Sequence, residues 1–321
     1  MKFNRQGELL LKKKYIYIII LVFLIICTGF IGAALYFFHE AVIPSHKSFL
    51  SDTKTLKKSD PLYKQKKWYL DADKQLWTMK SATGNLKLVA NYIPAATQTD
   101  KTVVVAHGFM GSKDTMGAYA YLFHQLGYNV LLPDARAQGD SQGQYIGYGW
   151  PERKDYVKWI NKVIDTNGQN SQIVMFGVSM GGATTMMTSG EKLPSQVKAF
   201  VEDCGYTNAR TEIAYQAKEL YHVPSFPLVN VVSGINKIRN GFFFGQASAV
   251  KQLHKNQRPM FFIHGAKDEF VPTSMVYQNY SATRGPKELW VVKGAKHAAS
   301  LDKNPTEYQH KVAQFLSKYI K

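Results

Sequence analysis

The chain has 321 residues, of which 45% are hydrophobic, so it can form one globular domain of ordinary size with additional segments. Its two cysteines, Cys27 and Cys204, lie far apart and show no zinc-site spacing with histidine, so we expect neither a disulfide nor a metal site. The formal net charge of +17 fits a solvated basic surface or a nearby anionic membrane or cell wall. Because no nucleic-acid-binding motif is present, we expect no nucleic acid partner.

The first long apolar segment covers residues 15–38 and contains no charged residue. A bilayer core needs about 20 apolar residues, whereas the apolar part of a cleaved signal peptide has only about 7–15. We therefore predict an uncleaved transmembrane helix at 15–38 that contacts membrane lipid, with a cleaved signal as the alternative. The basic segment 1–14 precedes it, which favours a cytoplasmic N-terminus, a single pass through the cell membrane and an extracellular position for the rest of the chain.

Residues 39–67 are rich in lysine and serine, and we predict that they form a stalk before one folded domain at 68–321. The segments "LWTMKSATG" and "LKLVANYIP" predict an opening strand pair with a turn at Gly84-Asn85. Strands then alternate with helices, predicted at 114–126 with Asp114 as the N-cap, at 151–167, from 181 onwards and at 306–318.

This alternation predicts an α/β fold with a mostly parallel, eight-stranded sheet flanked by helices. Residues 206–252 interrupt it with two prolines and the segment "NGFFFGQ", which predicts a small helical cap or lid insert. In such a sheet, ligands bind beyond the carboxyl ends of the strands. The residues that follow each strand are therefore the candidates for a functional site.

A serine occupies one of these positions, in the segment "GVSMG" at residues 177–181. The segment matches the G-x-S-x-G pattern and lies where a predicted strand meets a predicted helix. There the glycines permit a tight turn, and the first N–H groups of the helix favour a developing anion. We predict Ser179 as a nucleophile, although the motif alone is also compatible with a structural turn.

Two further residues complete a predicted catalytic triad. Asp268 and His297 each follow a predicted strand, and the order Ser179, Asp268, His297 is the Ser…Asp…His order of one fold class. A serine nucleophile needs a base, and a histidine base needs a carboxylate that fixes its tautomer, so we assign these roles to His297 and Asp268. Asp203, which ends another strand, is the alternative acid.

The predicted oxyanion hole consists of two backbone N–H groups, those of Phe109 and Met180. His107 precedes this position and is interpreted as a loop-shaping residue beside the substrate pocket rather than as the base. Cys204 is not expected to act as a nucleophile, because no histidine is placed to serve it. His264 is interpreted as a structural residue. Asp134, Arg136 and Asp140 are interpreted as a network that braces their loop.

Together with "HGFMGS", "DARAQGDSQG", "GAKDEFVP" and "KHA", these motifs make residues 68–318 resemble an α/β-hydrolase. The whole chain resembles the membrane-anchored bacterial cell-surface serine hydrolases of the prolyl-oligopeptidase-like branch. In "DARAQGDS", Ala137 stands where the D-x-R-G-x-G-x-S loop of many members has glycine. The resemblance implies hydrolysis of an ester, thioester or amide through an acyl-enzyme, without a metal or organic cofactor.

From these observations we expect a carboxylesterase that acts on small to medium acyl substrates. The alternatives are a serine peptidase or amidase that cleaves short peptides with the same triad, and a non-catalytic surface binding protein on a hydrolase scaffold. The intact triad and glycines argue against the binding protein. The predicted substrate pocket includes one histidine and four phenylalanines of the cap: His107, Phe226, Phe242, Phe243 and Phe244.

Overall fold

The architecture is that of a twisted sheet with helices on both faces, and we describe it from a computed structural model that covers residues 5–45 and 56–321. Residues 1–4 of the predicted cytoplasmic segment and 46–55 of the predicted stalk lie outside the described residues. The strands are β1 (Gln75–Lys80), β2 (Lys87–Ile93), β3 (Lys101–Ala106), β4 (Asn129–Pro133), β5 (Gln172–Val178), β6 (Val197–Asp203), β7 (Met260–Gly265) and β8 (Lys287–Val292). The helices are α1 (Arg5–Val42), α2 (Tyr63–Asp71), α3 (Gly117–Gln125), α4 (Glu152–Asn167), α5 (Met180–Ser189), α6 (Ala209–Tyr221), α7 (Leu228–Asn240), α8 (Ala249–Leu253), α9 (Ser274–Ala282), α10 (Ser300–Lys303) and α11 (Pro305–Leu316).

The eight strands form one sheet in the order β1-β2-β4-β3-β5-β6-β7-β8. β2 pairs antiparallel with β1 and β4, and the other neighbours are parallel, so the predicted mostly parallel, eight-stranded sheet is confirmed. The central strands β3, β5 and β6 are almost entirely buried, which explains their continuous runs of apolar and β-branched residues.

Helices cover both faces of the sheet and form two apolar cores. α4, α5, α8 and α9 pack on one face, whereas α2, α3 and α11 pack on the other. On α4, Tyr156, Trp159, Ile160 and Val163 follow the helical i, i+3, i+4, i+7 spacing and are buried. Each such large side chain stabilises the fold by about 1.5–3 kcal/mol relative to an exposed one.

The entrance to α3 differs from the prediction. Asp114 is not the N-cap of this helix: Ser112 caps a 3-10 turn, Lys113–Met116, and α3 begins only at Gly117. Asp114 instead accepts a hydrogen bond from Tyr69 on α2, at 2.9 Å. A side chain at Gly117 would lie within 2.9 Å of the Tyr69 ring, so this glycine lets α2 and α3 pack closely.

The predicted boundaries of the stalk, 39–67, also differ from the structure. α1 continues through the first of these residues to Val42, and α2 begins at Tyr63, before the predicted start of the domain at 68. Val42 and Leu62 are both buried. Both described ends of the predicted stalk are therefore packed against the folded domain.

The predicted helical insert is present between β6 and β7, where α6 and α7 form a cap. The last part of the predicted 206–252 segment belongs to the body rather than to the cap. α8 packs against α5, and its residues Ala249 and Leu253 are fully buried. We use "cap" below for residues 209–240.

α1 has two different surfaces along its length. From Lys12 to Val42 it is long and apolar enough to cross a membrane, and it is mostly exposed before Ala34. Its last turns pack on α7, and Ala34, Phe38 and Val42 are buried there. The end of α1 is therefore part of the domain, whereas its first two thirds project away from it.

Candidate active site

Ser179 lies on a strained turn between β5 and α5. Its backbone has φ 58° and ψ −118°, a conformation that side-chain-bearing residues rarely adopt and that costs about 1–3 kcal/mol. A side chain at Gly177 would lie 2.1 Å from the Gly181 carbonyl oxygen, and one at Gly181 would lie 2.0 Å from the Ala106 carbonyl oxygen. Both glycines of the G-x-S-x-G motif are thus required by close backbone packing.

The three residues of the predicted triad form one hydrogen-bonded chain. His297 Nε2 lies 2.9 Å from Ser179 Oγ, and His297 Nδ1 lies 2.8 Å from Asp268 Oδ2. The other carboxylate oxygen of Asp268 accepts hydrogen bonds from the backbone N–H groups of Phe270 and Val271, at 3.0 and 2.9 Å. This arrangement lets His297 accept a proton from Ser179 while Asp268 holds the imidazole in place.

A second histidine, His264, contacts the same carboxylate. Its Nε2 lies 3.2 Å from Asp268 Oδ2 and 2.9 Å from the carbonyl oxygen of Val271, and its side chain is fully buried. Burial alone would raise the pKa of Asp268, but hydrogen bonds with His264 and His297 outweigh it and hold that pKa at about 2. Asp268 is therefore ionised throughout the neutral range.

The sequence did not predict this role for His264. Burial would lower the pKa of His264, but the hydrogen bond to Asp268 and the charge of Glu202 outweigh it and raise that pKa. A signal existed in the sequence, because His264 precedes Asp268 by four residues in "HGAKD", at the end of the same strand. That spacing was compatible with an ordinary buried histidine, so nothing in the sequence required the contact.

The alternative acid, Asp203, has other partners. Its carboxylate accepts hydrogen bonds from Ser300 Oγ at 3.1 Å and from the Tyr308 hydroxyl at 3.0 Å, and its carbonyl oxygen accepts one from the Ser179 N–H at 2.8 Å. These contacts tie β6 to α10, α11 and the serine turn. The residue that contacts His297 is Asp268, not Asp203.

Cys204 lies closer to the triad than the sequence suggested. Its sulfur and the ligand atoms of Asp268 and His297 all lie within 4.8 Å of one another, but the two ring nitrogens of His297 bond to Asp268 and Ser179. Burial raises the pKa of its thiol well above the ordinary value, which disfavours the nucleophilic thiolate. The same three groups are of types that ligate metals, but His297 Nδ1 and Asp268 Oδ2 already bond to each other. Both cysteines are free.

The two residues of the predicted oxyanion hole line the same cleft as Ser179. Met180 is the first residue of α5, so its N–H is among those that have no acceptor within the helix. Phe109 follows β3 on a loop that Gln138 holds by accepting a hydrogen bond from the Met110 N–H at 2.7 Å. The roles of both N–H groups stay predictions.

The loop after β4 is braced by ion pairs, as the sequence analysis interpreted it. Lys113 Nζ lies 2.8 Å from the fully buried Asp134 carboxylate and 2.6 Å from that of Asp140. Arg136 forms a bidentate pair with Asp155, the shorter distance being 2.7 Å. Ala137 has φ 62° in this loop, which explains why glycine is usual at the position.

A cleft of about 830 Å³, including its open mouth, lies above Ser179. Its wall comes from the body, the cap and α1, and most of the lining side chains are apolar or aromatic. The lining residues are Phe37, Glu40, Ala41, Phe109, Tyr148, Ser179, Met180, Tyr206, Glu212, Ile213, Gln216, Ala217, Leu220, Tyr221, Leu228, Val229, Val232, Phe270 and Val271. Burial raises the pKa of Glu212 to about 8, so this carboxyl is mostly neutral at pH 7.

The predicted pocket residues are wrong, because none of them lines the cleft. His107 is buried behind it, where its Nε2 accepts a hydrogen bond from the Ala135 N–H at 2.9 Å, which fits its interpretation as a loop-shaping residue. Phe242 and Phe244 are buried beneath the cap and pack against each other, and the remaining two are exposed: Phe226 and Phe243. The sequence showed an aromatic cluster but not the direction in which the cap presents it.

The sequence of this chain was compared with those of known protein families. Residues 114–321 match the prolyl oligopeptidase family. The chain belongs to this family. This member of the prolyl oligopeptidase family has the α/β-hydrolase fold, and the triad residues all lie within the matched segment.

Individual proteins similar to this member of the prolyl oligopeptidase family include one lipase by sequence and one esterase by fold. The uncharacterised protein YqkD of Bacillus subtilis is 29% identical over 228 residues, which cover 71% of this chain and 75% of YqkD. A thermostable monoacylglycerol lipase of a Bacillus species is 22% identical, covering 68% of this chain and 90% of the lipase. An esterase structure from Pyrococcus furiosus shares the fold, with a TM-score of 0.62, 23% identity and coverage of 78% of this chain and 95% of the esterase. The protein is a serine hydrolase.

Proposed function

We propose that this serine hydrolase cleaves carboxylic ester, or thioester, bonds of acyl substrates through an acyl-enzyme. The observation that carries the proposal is the hydrogen-bonded chain from Asp268 through His297 to Ser179, which opens into an apolar cleft. The small to medium acyl substrates expected from the sequence suit this cleft because most of its lining side chains are apolar or aromatic.

In the proposed mechanism, Ser179 Oγ attacks the acyl carbon while His297 Nε2 takes its proton. The bond from the acyl carbon to the leaving oxygen or sulfur then breaks, and His297 returns the proton to the leaving group. Water, deprotonated by His297, then attacks the acyl carbon of the acyl-enzyme. The bond from that carbon to Ser179 Oγ breaks, His297 returns the proton to Ser179 Oγ, and the acid is released. The N–H groups of Phe109 and Met180 stabilise the oxyanion of each tetrahedral intermediate.

The lining of the cleft favours an acyl chain over a peptide. A peptide needs partners for its backbone and charged ends, whereas this cleft is lined mainly by apolar and aromatic side chains. Its acidic and amide side chains are few, namely Glu40, Gln216 and a largely neutral Glu212. The similarity to a monoacylglycerol lipase supports the same choice. Peptide or amide hydrolysis remains the second candidate, favoured by the family match and by the fold shared with an acylaminoacyl peptidase of Pyrococcus horikoshii, whose TM-score is 0.58 at 16% identity.

We further propose that α1 is a retained membrane anchor with its N-terminus in the cytoplasm and the catalytic domain outside the cell. Its apolar run supports a membrane span, and the basic residues before it support the orientation. The burial of Ala34, Phe38 and Val42 against the domain supports retention, because cleavage of a signal peptide would remove these side chains from the core.

The first test uses the purified full-length protein in detergent and a fluorophosphonate probe, which reacts with activated serines. We expect labelling at Ser179, located by mass spectrometry of the labelled peptide, together with turnover of p-nitrophenyl esters between acetate and laurate. Ser179→Ala should lose the label and at least about 10³-fold in kcat, because the nucleophile is gone.

The matched control is Ser195→Ala, which changes an exposed serine outside the cleft and should retain both label and turnover. Turnover that persists in the pure Ser179→Ala variant would refute Ser179 as the nucleophile. A folded wild-type protein that takes no label and hydrolyses no ester would support the surface binding protein instead.

A further inference from the structure

One wall of the cleft comes from α1 rather than from the hydrolase domain. Phe37, Glu40 and Ala41 line the cleft together with Ser179, and Tyr221 of α6 stands beside them. The Phe37 and Tyr221 rings meet edge to face, with their centroids 5.1 Å apart. A substrate in this cleft therefore contacts both the cap and the helix proposed to enter the membrane.

Hydrogen bonds hold this wall in place. The Tyr148 hydroxyl donates to the Ala41 carbonyl oxygen at 2.6 Å, and the Ile146 N–H donates to the Val42 carbonyl oxygen at 2.8 Å. Both donors belong to the loop before α4, so the end of α1 is fixed to the body as well as to the cap. The wall is a structural part of the cleft.

The position of this wall along α1 places the cleft at the membrane surface. The charge-free run of α1 covers residues 15–38, and at 1.5 Å per residue it is about 36 Å long. The hydrocarbon core of a bilayer is about 30 Å thick, so the run spans it with one further turn. Phe37 lies at the end of the run, and Ala41 lies one turn beyond, within the interfacial layer.

The cap, which packs on α1 through α7, also exposes large apolar side chains. Large apolar side chains are exposed on it, Ile238 to 84% and Phe226 to 73%, and Lys237 and Arg239 are exposed next to Ile238. Exposed apolar residues flanked by basic ones are typical of surfaces that lie in the lipid headgroup layer. α7 packs directly on α1, so the cap that carries these exposed side chains is joined to the proposed anchor.

We infer that the enzyme takes its substrate from the bilayer, and that this substrate is an acyl ester lipid whose chain lies between α1 and the cap with its carbonyl carbon at Ser179. The inference rests on the proposed esterase function and on the retention of α1. It assigns Phe37 and Ala41 as specificity-determining residues, since they would contact the acyl chain of a lipid that lies along α1. A water-soluble ester with a short acyl group needs neither contact.

The test compares two substrates of the full-length protein in phosphatidylcholine vesicles. One is 1-palmitoylglycerol in the bilayer, and the other is p-nitrophenyl acetate in the water. Ala41→Trp fills the cleft from the helix side, so we expect the ratio of palmitate release to acetate release to fall at least tenfold. The matched control is Ala33→Trp, two turns earlier on the exposed part of α1, which should leave this ratio within twofold of wild type.

A second variant, Phe37→Ala, removes side-chain volume instead of adding it and should lower the same ratio at least threefold. Labelling of Ser179 by a small fluorophosphonate reports whether each variant is folded. A wild-type ratio in both Ala41→Trp and Phe37→Ala would overturn the lipid route while leaving ester hydrolysis intact. No label and no acetate turnover in wild type would overturn the proposed esterase itself, and this inference with it.

Discussion

At the scale of single residues, two buried aspartates near the serine turn differ in the partners that hold them. Asp268 receives two backbone N–H groups and two histidines, and its pKa is held at about 2. Burial instead raises the pKa of Asp203 to about 6, although hydrogen bonds from Tyr308 and Ser300 lower it. Asp268 therefore stays ionised at lower pH than Asp203 does, and Asp268 is the carboxylate that contacts the histidine that gains a proton during the reaction.

We therefore expect different losses from the two Asp→Asn changes. Asp268→Asn should lower kcat by about 10³–10⁴-fold, because His297 loses the carboxylate that fixes its tautomer and stabilises its charged form. Asp203→Asn should mainly lower the free energy of unfolding, by about 1–3 kcal/mol, as its hydrogen bonds are rearranged. Steady-state kinetics and thermal unfolding of both variants check this pair, and a larger kinetic loss in Asp203→Asn would show that the acid is misassigned.

At the scale of elements, the cap helix α6 carries a buried acid over the cleft. Glu212 Oε1 accepts a hydrogen bond from Gln216 at 2.8 Å, whereas its Oε2 has no partner among the described residues. Burial raises its pKa from the ordinary 4.5 to about 8. Because the folded state keeps this proton when the unfolded chain has released it, stability should fall as the pH rises from about 4.5 to 8.

Glu212→Gln should remove this part of the pH dependence. The variant is expected to lie close to wild type near pH 5 and to exceed it above pH 8, by up to about 5 kcal/mol in the free energy of unfolding. Denaturant unfolding at pH 5, 7 and 8.5 measures the difference. Glu152 and Glu202 are also buried acids with raised pKa values. Wild type and Glu212→Gln both retain them, so their contributions to the pH dependence of stability cancel in the comparison. Equal stability at every pH would contradict the prediction.

The elements that the sequence predicted well are those defined by local pattern. Strands such as "KTVVVAHG" have continuous apolar runs, and "GVSMG" requires glycines for backbone reasons that operate within a few residues. The triad order followed from placing each residue at a strand end. The orientation of the cap could not be predicted, because it depends on how α6 and α7 pack on the sheet and on α1. For this reason the sequence predicts a pocket lined by phenylalanines of the 206–252 insert, whereas Phe37, Ile213 and Phe270 are among the residues that line the cleft.

At the scale of the whole molecule, α1 joins the proposed membrane span to the catalytic cleft. The sequence separated these parts by a stalk, because residues 39–67 are polar and lack a clear period. In the structure, the apolar run ends against the cap, and Phe38 packs near Tyr145 with their ring centroids 5.8 Å apart. An anchor docked in this way holds the cleft at a fixed height and orientation relative to the bilayer, which a flexible stalk would not do.

The contribution of this docking to stability can be measured with two equivalent truncations on one helix. Phe38 is 5% exposed and packs on the domain, whereas Phe23 is 63% exposed on the projecting part of α1. Phe38→Ala should lower the free energy of unfolding by about 3 kcal/mol or more, because it removes a buried ring and leaves a cavity. For a domain of this size that corresponds to a fall of about 6 °C or more in Tm.

Phe23→Ala should leave Tm unchanged, since its side chain contacts only detergent or lipid. Thermal unfolding in detergent checks both variants, and equal Tm values for Phe38→Ala and wild type would show that α1 is not held by the domain, which would remove the basis for treating it as a wall of the cleft.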